Sequence, residues 1–366
     1  MKRFLKIAAI IFLSIIACII LASWIFLQTT IYHPSGSDEM PVHTLASATP
    51  KQPDGVLKVM SYNIQYLAGK DYVFFYDLPD FAGPDTRPSS EAIARTLEQV
   101  VKVIKEQDAD VVLLQEMDEG SSRTDNRNQT QLILSRLQDR YGYYAETFYW
   151  RALYVPHPKI NGSVGMKLTT LSKYPIRSAT RYQLPRIKEN YIVSRFNFYR
   201  AILETRIEVG DKEIEVLNTH FDAFAHSSET MQRQVECAMG VLESLDKQST
   251  PWIIGGDFNL LPPGFRNTMD PEKGKSFSET TELTPMFEHY RSIPSLEAIA
   301  GDDPKQWYTH FPNDPEVTAP DRIIDYQFYS KQLKVRSAKV LQGYTWNISD
   351  HLPIISIYES DQENSL

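Results

Sequence analysis

The sequence contains only two cysteines among its 366 residues, and they are poorly placed to pair. Cys18 lies inside an apolar run, whereas Cys237 lies far along the chain in a polar context. A disulfide framework, a zinc knuckle and a CxxC redox motif are therefore excluded. The sequence also lacks internal repeats and low-complexity segments, and its hydrophobic fraction of 42% is that of a globular protein.

Basic residues are scarce: 38 lysines and arginines stand against 46 aspartates and glutamates, which gives a net charge of -8. Lys2, Arg3 and Lys6 precede an apolar run, so the chain beyond that run has 35 basic and 46 acidic residues, a balance of -11. A body this acidic does not supply the broad positive field that drives non-specific binding of nucleic acids. A local basic cleft is still compatible with the composition.

Long apolar runs are absent except at the N-terminus. Residues 7–27 carry no charge, and as a helix they span about 30 Å, the thickness of one bilayer core. Because residues 1–6, with their three basic side chains, should stay in the cytoplasm, we predict that residues 7–27 are a single-pass signal anchor. The rest of the chain would then lie outside, in the periplasm or the extracellular space. A cleaved signal peptide, which gives a secreted form, is the alternative. A lipoprotein cut at Cys18 is disfavoured, because apolar residues continue beyond it.

The remaining chain divides into a linker, one large domain and a short tail, residues 361–366. Residues 28–55 contain four prolines among Ser, Thr and Gly, which favours an extended linker. Residues 56–360 mix apolar strand patterns with helical spacing, as at Ile93 and Leu97, and with a hairpin pattern around Gly210. This mixture predicts an α+β fold with two packed, mixed sheets and helices outside them.

Residues 68–88 do not fit the pattern of strands and helices. They hold five aromatic residues, Tyr72, Phe74, Phe75, Tyr76 and Phe81, in a stretch too long for an ordinary connection. Two interpretations stay open for this segment, which we call the flap. It is either a packed surface flap or a substrate lid or membrane-facing element.

Polar residues follow several apolar strand patterns at the point where each pattern ends. They are Asn63, Glu116, His220, Asp222, Asp257, Asn259, Asp325, Asp350 and His351. If the strands lie side by side, their ends share one rim, which is where α/β enzymes gather their chemistry. A single Asp at a strand end is often only a turn residue. The recurrence of such segments along one chain makes a shared site the better explanation.

The residue types in this set favour a hard divalent cation. Carboxylate and amide oxygens without thiolates suit Mg²⁺, with Mn²⁺ as an alternative, and such a cation takes one or two carboxylates together with a phosphate oxygen. Two histidines beside acids suit proton transfer. His351 needs an acid to orient it, and Asp325 is the candidate.

These residues stand in motifs whose order resembles the endonuclease/exonuclease/phosphatase superfamily. The motifs are Ser-Tyr-Asn63-Ile, Leu-Gln-Glu116, Asn-Thr-His220, Gly-Gly-Asp257-Phe-Asn259, Ile-Asp325-Tyr and Ser-Asp350-His351. The resemblance covers residues 56–359, and the superfamily includes deoxyribonuclease I-like nucleases and neutral sphingomyelinases. It implies a four-layer αββα sandwich that cleaves a phosphoester with the help of a metal ion.

The resemblance implies which residues hold the metal ion and the attacking water. Glu116 would bind magnesium, with Asn63 nearby and Asp350 as a further ligand. Asp257 would position or deprotonate the water. Asn63 and Asp222 would also contact the substrate.

The resemblance further implies a phosphate site. Asn259 and His220 would contact the phosphate and stabilise the developing charge, and His351, oriented by Asp325, would complete the site. Which histidine acts as acid and which as base stays open. The sequence Asp321-Arg-Ile also resembles some nuclease members, but Ile-Asp-Tyr before a β pattern favours Asp325.

Two substrate classes follow from these features, and the sequence does not indicate an oligomeric state. The favoured hypothesis is a membrane-anchored phosphodiesterase or phosphatase that acts on a lipid or a small phosphoester. The alternative is an exported nuclease that cleaves DNA or RNA through a basic groove, for which the candidates are Arg181, Arg186, Lys188, Arg195 and Arg200. A binding module without activity is disfavoured, because no key position of the motifs has been replaced.

Overall fold

The computed structural model describes residues 1–30, 32–46, 49–52, 54–137, 140–223 and 229–360, so the predicted tail lies outside the described residues. Helix α1 (Lys2–Thr30) includes the predicted span of residues 7–27. Residues Lys2–Phe26 are long and apolar enough to cross a membrane, and none of the apolar window is buried against the rest of the chain. A signal sequence has the same properties, so α1 agrees with either interpretation.

The described part of the chain beyond α1 forms seven more helices and fourteen strands, numbered in chain order. The helices are α2 (Ser90–Gln107), α3 (Gln129–Leu137), α4 (Tyr191–Phe196), α5 (Thr230–Lys247), α6 (Pro271–Gly274), α7 (Thr284–His289) and α8 (Leu296–Ile299). The strands are β1 (Ser37–Glu39), β2 (Val42–Thr44), β3 (Val56–Asn63), β4 (Val111–Asp118), β5 (Tyr143–Val155), β6 (Gly162–Ser172), β7 (Ile176–Gln183), β8 (Ala201–Val209), β9 (Lys212–His220), β10 (Trp252–Asp257), β11 (Arg291–Ile293), β12 (Asp325–Tyr329), β13 (Leu333–Val340) and β14 (Ile354–Ser360).

The strands of the described residues form two mixed sheets of seven strands each. Sheet A has the order β13-β14-β3-β4-β6-β5-β2, and sheet B has the order β1-β7-β8-β9-β10-β12-β11. β3 and β4 are parallel in sheet A, as are β9 and β10 in sheet B. Because parallel strands run in the same direction, each of these pairs presents two carboxyl ends at one edge of its sheet.

The two sheets pack face to face, and helices cover their outer faces. Alternate residues of β4 point to opposite faces, so Leu113 lies in the core between the sheets while Val112 and Leu114 pack with α2. Sheet B buries its outer face against α5 in the same way, through Leu217 and Ile254. The predicted four-layer αββα sandwich of two mixed sheets is confirmed.

Residues 37–44, which lie inside the predicted linker, form the two short strands β1 and β2. β1 pairs with β7 at one edge of sheet B, and β2 pairs with β5 at one edge of sheet A. The linker prediction for residues 28–55 is therefore corrected here, since the sheets begin before Val56. Prolines lack a donor N–H, but they do not prevent short edge strands on either side of them, as Pro41 demonstrates between β1 and β2.

Gly256 lies directly before Asp257, where β10 packs beside β9. It has a φ of +151°, and a Cβ atom there would lie 1.9 Å from the carbonyl oxygen of Thr219. We expect Gly256→Ala to lower the free energy of unfolding by about 3 kcal/mol or more, because the backbone has to shift to admit the methyl group. Urea unfolding of the variant measures the loss.

Gly240→Ala in α5 is the matched control for this prediction. A Cβ atom at Gly240 would meet nothing within 4 Å, so alanine should raise stability by about 1 kcal/mol through its higher helix propensity. Equal stabilities for the two alanine variants would contradict the close approach of Gly256 to Thr219.

Candidate active site

The two parallel strand pairs bring their last residues to one edge of the sandwich, where the polar residues collect. Asn63 ends β3, His220 ends β9 and Asp257 ends β10. Asp257 lies opposite His220 in one neighbouring strand and opposite Asp325 in the other. The buried strands therefore fix the backbone positions of these residues.

Glu116 reaches the site through a distortion of β4. The register between β4 and β6 shifts between Leu114 and Met117, which marks a β-bulge. Glu116 has a φ of +58°, a left-handed conformation that few residues other than glycine adopt. Its Oε1 accepts a hydrogen bond from Asn63 Nδ2 at 3.1 Å. Bulges and left-handed residues often re-aim a side chain beside an active site, and this bulge does so for Glu116.

Asp257 lies between two histidines at the centre of the site. Its Oδ2 is 3.3 Å from His220 Nε2 and 3.5 Å from His351 Nε2. The same oxygen accepts a hydrogen bond from Asn63 Nδ2 at 3.1 Å, and Oδ1 accepts one from the backbone N–H of Asn259 at 2.9 Å. The structure thus brings Asn63, His220 and His351, which are distant in sequence, together with Asn259 around the carboxylate of Asp257.

Asn63 faces the carboxylates with its amide nitrogen. Its Oδ1 accepts a hydrogen bond from the backbone N–H of Gln65 at 3.0 Å, so turning the amide over would set two donors against each other. The amide nitrogen thus holds Glu116 and Asp257 in place, and a metal-binding role for Asn63 stays a prediction. Gln65, which the sequence reasoning missed, donates from Nε2 to Asp350 Oδ2 at 2.9 Å.

His351 pairs with the acid that the sequence favoured. Its Nδ1 is 2.8 Å from Asp325 Oδ2. Burial alone would lower the pKa of His351, but the charges of Asp325 and Asp257 outweigh burial and raise it well above its usual value. Asp321, the alternative acid, instead accepts a hydrogen bond from Arg322 Nε at 2.7 Å. His351 is therefore a cation at neutral pH, held by Asp325.

His220 has the opposite electrostatic character. Burial, together with the charges of Arg200 and His351, lowers its pKa well below the usual value. Its Nδ1 is 3.2 Å from the hydroxyl of Tyr149, whose own pKa is raised by burial. The phenol therefore stays protonated and shares a hydrogen bond with Nδ1, while Nε2 of the neutral imidazole faces Asp257. Tyr149 was not predicted, since an aromatic residue in β5 gives no signal of its own.

Asn259 and Asp222 lie beside this centre and line the same cleft. Asn259 has a φ of +52°, and its Nδ2 donates to the carbonyl of Phe221 at 3.2 Å. The backbone N–H of Asp222 donates to Gln234 Oε1 at 3.0 Å. Both predicted positions are thus fixed by bonds to neighbouring segments and open to a substrate in the cleft.

Three of the basic residues proposed for a nucleic-acid groove bind partners within the protein. Arg181 is fully buried and donates to the carbonyl of Tyr199 at 2.7 Å, although its Nη1 has no hydrogen-bond partner among the described residues. Arg186 donates to the carbonyl of Phe198 at 3.2 Å, and Arg195 binds Tyr191 of the same helix. A groove lined by these residues stays a prediction.

Arg200 differs from the other basic residues. It is 3% exposed, lines the cleft, and lies over the rings of Phe198 and Tyr149. Within the described residues, its Nε and Nη1 groups have no hydrogen-bond partner. A buried guanidinium whose N–H donors have no partner, beside an active site, is suited to bind an anion.

The carboxylates at the centre repel one another. Burial, followed by the charge of Asp350, raises the pKa of Glu116. Burial also raises the pKa of Asp257 to about 7; Asp325 and Glu116 add to the rise, whereas His351 opposes it. Buried acids with raised pKa values gain stability from a cation placed among them.

Three groups of side chains in the described residues could hold a metal ion. Within each group the ligand atoms lie within 4.8 Å of one another; the groups are Glu116, His220 and Asp257; His310, Asp350 and His351; and Asp257, Asp325 and His351. Carboxylate oxygens and imidazole nitrogens suit a divalent cation, which therefore fits this site. Glu116 and Asp350 stay our ligand candidates, because their carboxylate oxygens are the ligands that a hard divalent cation prefers. The sequence reasoning missed His310.

Adding Mg²⁺ to the metal-free chain should raise Tm, and the rise should be larger at about pH 8 than at about pH 5. The pKa of Asp257 is raised from its ordinary value of 3.8 to about 7. The contribution of this acid to stability is therefore full below pH 3.8 and is lost as the pH rises towards 7. A cation offsets this loss only once the acids are ionised. Glu116→Gln is the control, and an equal Tm shift in that variant would contradict Glu116 as a ligand.

A cleft of about 1470 Å³ opens above these residues. Its floor includes Glu116, His220, Asp257 and His351. Its walls are largely apolar and include Phe75, Phe81, Trp150, Val155, Val164, Met166, Val193 and Phe196. The flap is thus both packed and part of the cleft, because Phe74 is buried in the core while Phe75 and Phe81 form part of the wall.

The two packed sheets place acids and imidazoles together at one edge, where they could hold a metal ion. The sequence model of the endonuclease/exonuclease/phosphatase family matches residues 60–351, most of the chain, and the protein belongs to that family. Its members are generally hydrolases of phosphoester bonds that depend on a divalent metal ion.

Solved structures share the fold. The chain is similar to an endonuclease/exonuclease/phosphatase from Beutenbergia cavernae, with 21% identity, a TM-score of 0.56, and coverage of 83% of this chain and 72% of that chain. It is also similar to the human nocturnin catalytic domain, which holds a sulfate anion, with 19% identity, a TM-score of 0.51, and coverage of 88% and 97%. Truncated TDP2 from Caenorhabditis elegans has 16% identity, a TM-score of 0.51, and coverage of 83% and 98%. A search of curated protein sequences found no match.

Proposed function

We propose that this protein is a membrane-anchored phosphoester hydrolase, facing outward from the cytoplasm, that cleaves a phosphodiester or phosphomonoester of a lipid or small molecule. The observation that carries the proposal is the convergence of Glu116, His220, Asp257 and His351 on the floor of one cleft. The apolar helix α1 supports the anchor. Mg²⁺ is the proposed cation and Mn²⁺ the alternative, because the oxygen ligands suit both.

The phosphate group of the substrate would lie over this floor. Asp257, with its pKa raised to about 7, accepts a proton from the attacking water near neutral pH. The cationic His351 and the buried Arg200 stabilise the negative charge that develops on the phosphate oxygens. A divalent cation held by Glu116 and Asp350 would neutralise phosphate charge and lower the pKa of a bound water.

The walls of the cleft favour a lipid or a small molecule over a nucleic acid. Trp150, Met166 and Phe198 give the site an apolar side. A nucleic acid would need basic residues along the path of its backbone, and Arg181, Arg186 and Arg195 instead bind partners within the protein. An exported nuclease is therefore the second candidate.

A substrate panel tests the proposal on the full chain in detergent micelles, with Mg²⁺, with Mn²⁺ and with EDTA. The panel comprises bis(4-nitrophenyl) phosphate, 4-nitrophenyl phosphate, phosphatidylcholine in mixed micelles and plasmid DNA. We expect metal-dependent hydrolysis of a small or lipid phosphoester and little cleavage of DNA. Cleavage of DNA that declines steeply with salt would favour the nuclease, and no hydrolysis with either cation would refute both functions.

A further inference from the structure

Exposed apolar side chains collect around the mouth of the cleft. Phe81, Leu153 and Tyr191 are 63%, 66% and 56% exposed, and Tyr154 and Val193 are also exposed. Phe81 and Val193 line the cleft directly, and Leu153 and Tyr154 precede its wall residue Val155. We call these five residues the apolar rim. An exposed apolar patch at the edge of a binding cleft is typical of a surface that meets a membrane or another protein.

The rim joins three separate segments of the chain into one continuous edge. Phe75 of the flap has its ring centroid 6.3 Å from that of Phe81 and 5.7 Å from that of His157, so the flap lies against the hairpin between β5 and β6. Across the cleft, Trp150 of β5 donates from Nε1 to the carbonyl of Phe196 in α4 at 2.7 Å. The flap, the hairpin and α4 are thus held together by direct contacts.

The segment that follows the membrane helix contacts this same part of the domain. Tyr32 packs edge to face on Phe148 and Tyr199, with ring centroids 6.3 Å and 6.1 Å away. His33 is 2.7 Å from Arg195 in α4, the helix that carries Tyr191 and Val193 of the rim. β5 continues from Phe148 to Leu153, about 17 Å further along one strand.

The covalent connection sets a limit on the distance between the rim and the membrane. The apolar run ends at Leu27, α1 ends at Thr30, and Tyr32 already contacts the domain. Five residues, the first three of them helical, span at most about 12 Å. The headgroup layer extends about 5 to 7 Å beyond the hydrocarbon core, so α4 lies at the membrane surface whenever α1 spans the bilayer.

We propose that the apolar rim lies in the headgroup region of the bilayer that α1 crosses, so that the cleft opens onto that surface. The occupant of the rim is therefore the lipid bilayer, and the phosphoesters nearest to the cleft are those of its lipids. Aromatic and aliphatic side chains such as Phe81 and Leu153 are suited to this layer, where one side is apolar and the other wet. This inference rests on the proposed function only in taking α1 as a retained anchor.

Fluorescence of the full chain in phosphatidylcholine nanodiscs tests the proposal. In a Cys18→Ser, Cys237→Ser background, Leu153→Cys and Val193→Cys carry an environment-sensitive nitrobenzoxadiazole label. Leu296→Cys is the matched control, an exposed leucine in α8 outside the cleft lining. At both rim positions we expect a blue shift and loss of emission with nitroxide-bearing lipids, whereas the control label should behave as in water.

The outcomes separate this proposal from the proposed function, because hydrolysis of bis(4-nitrophenyl) phosphate is measured separately, on the unlabelled native chain in the same nanodiscs. Rim labels that are quenched no more than the Leu296 label overturn the docking, whether or not the chain is active. Quenched rim labels in a chain that hydrolyses no phosphoester support the docking and refute the catalytic function.

Discussion

Asp257→Asn is expected to lower turnover at least about 100-fold while the chain remains folded. The carboxylate of Asp257 is the group to which both histidines and Asn63 point, at 3.3, 3.5 and 3.1 Å. Asparagine has the same shape and keeps an oxygen for the backbone N–H of Asn259, but it has neither the charge nor the basicity to take a proton from water. Turnover is measured on the most active substrate of the panel, and folding by circular dichroism and thermal unfolding.

Glu215→Gln is the matched control for this change. Glu215 is also a buried carboxylate on the β9–β10 pair, but it lies at the opposite end from His220 and accepts from Arg206 Nε at 2.5 Å. It lies outside the cleft lining, so its variant should keep turnover within about twofold and lose only stability. Turnover in Asp257→Asn above about a tenth of the native value would exclude Asp257 as the base.

The strand ends that form the site were predictable because the strands behind them are buried on both faces. In a four-layer sandwich, a central strand packs against the second sheet on one side and a helix on the other. Its sequence is therefore a continuous apolar run rather than an alternation of apolar and polar residues. Val111–Leu114 and Trp252–Ile254 are such runs. Glu116 and Asp257, which follow them within three residues, belong to the site. The sequence thus indicates where each strand delivers its functional residue.

The contacts that tune the site were not predictable, because they join residues far apart in the chain. Tyr149 meets His220 across 71 positions, and Gln65 meets Asp350 across 285. Neither partner has a local pattern that marks it as functional. The orientation of the Asn63 amide depends in turn on the backbone N–H of Gln65, which donates to Asn63 Oδ1.

The positions of the arginines were not predictable for a similar reason. Arg181 and Arg200 looked like surface residues by composition, since arginine is seldom fully buried. The fold instead pairs Arg181 with a backbone carbonyl and stacks Arg200 between aromatic rings beside His220. Arg181 therefore has a structural role, and Arg200 is a candidate phosphate ligand.

Asp325→Asn is expected to lower turnover at least about 100-fold and to move the alkaline limb of the pH–rate profile to lower pH. Burial favours a neutral His351, and the charges of Asp325 and Asp257 keep it cationic by raising its pKa. Without the charge of Asp325 that pKa is lower, so the cation is lost at a lower pH. The acid limb belongs to Asp257, whose pKa burial raises to about 7; because the charge of Asp325 adds to that rise, this limb should also move to lower pH.

Asp321→Asn tests this assignment against the other acid of the same segment. Asp321 lies four positions earlier, but its carboxylate binds Arg322 and Lys273 and not a histidine. Its variant should keep the native pH–rate profile. If the alkaline limb moved in Asp321→Asn and stayed in place in Asp325→Asn, Asp325 would not be the acid that charges His351. If Asp325→Asn lowered turnover by the same factor at every pH, Asp325 would act only by orienting the ring of His351. A change in the charge of His351 would instead make the loss of turnover grow as the pH rises.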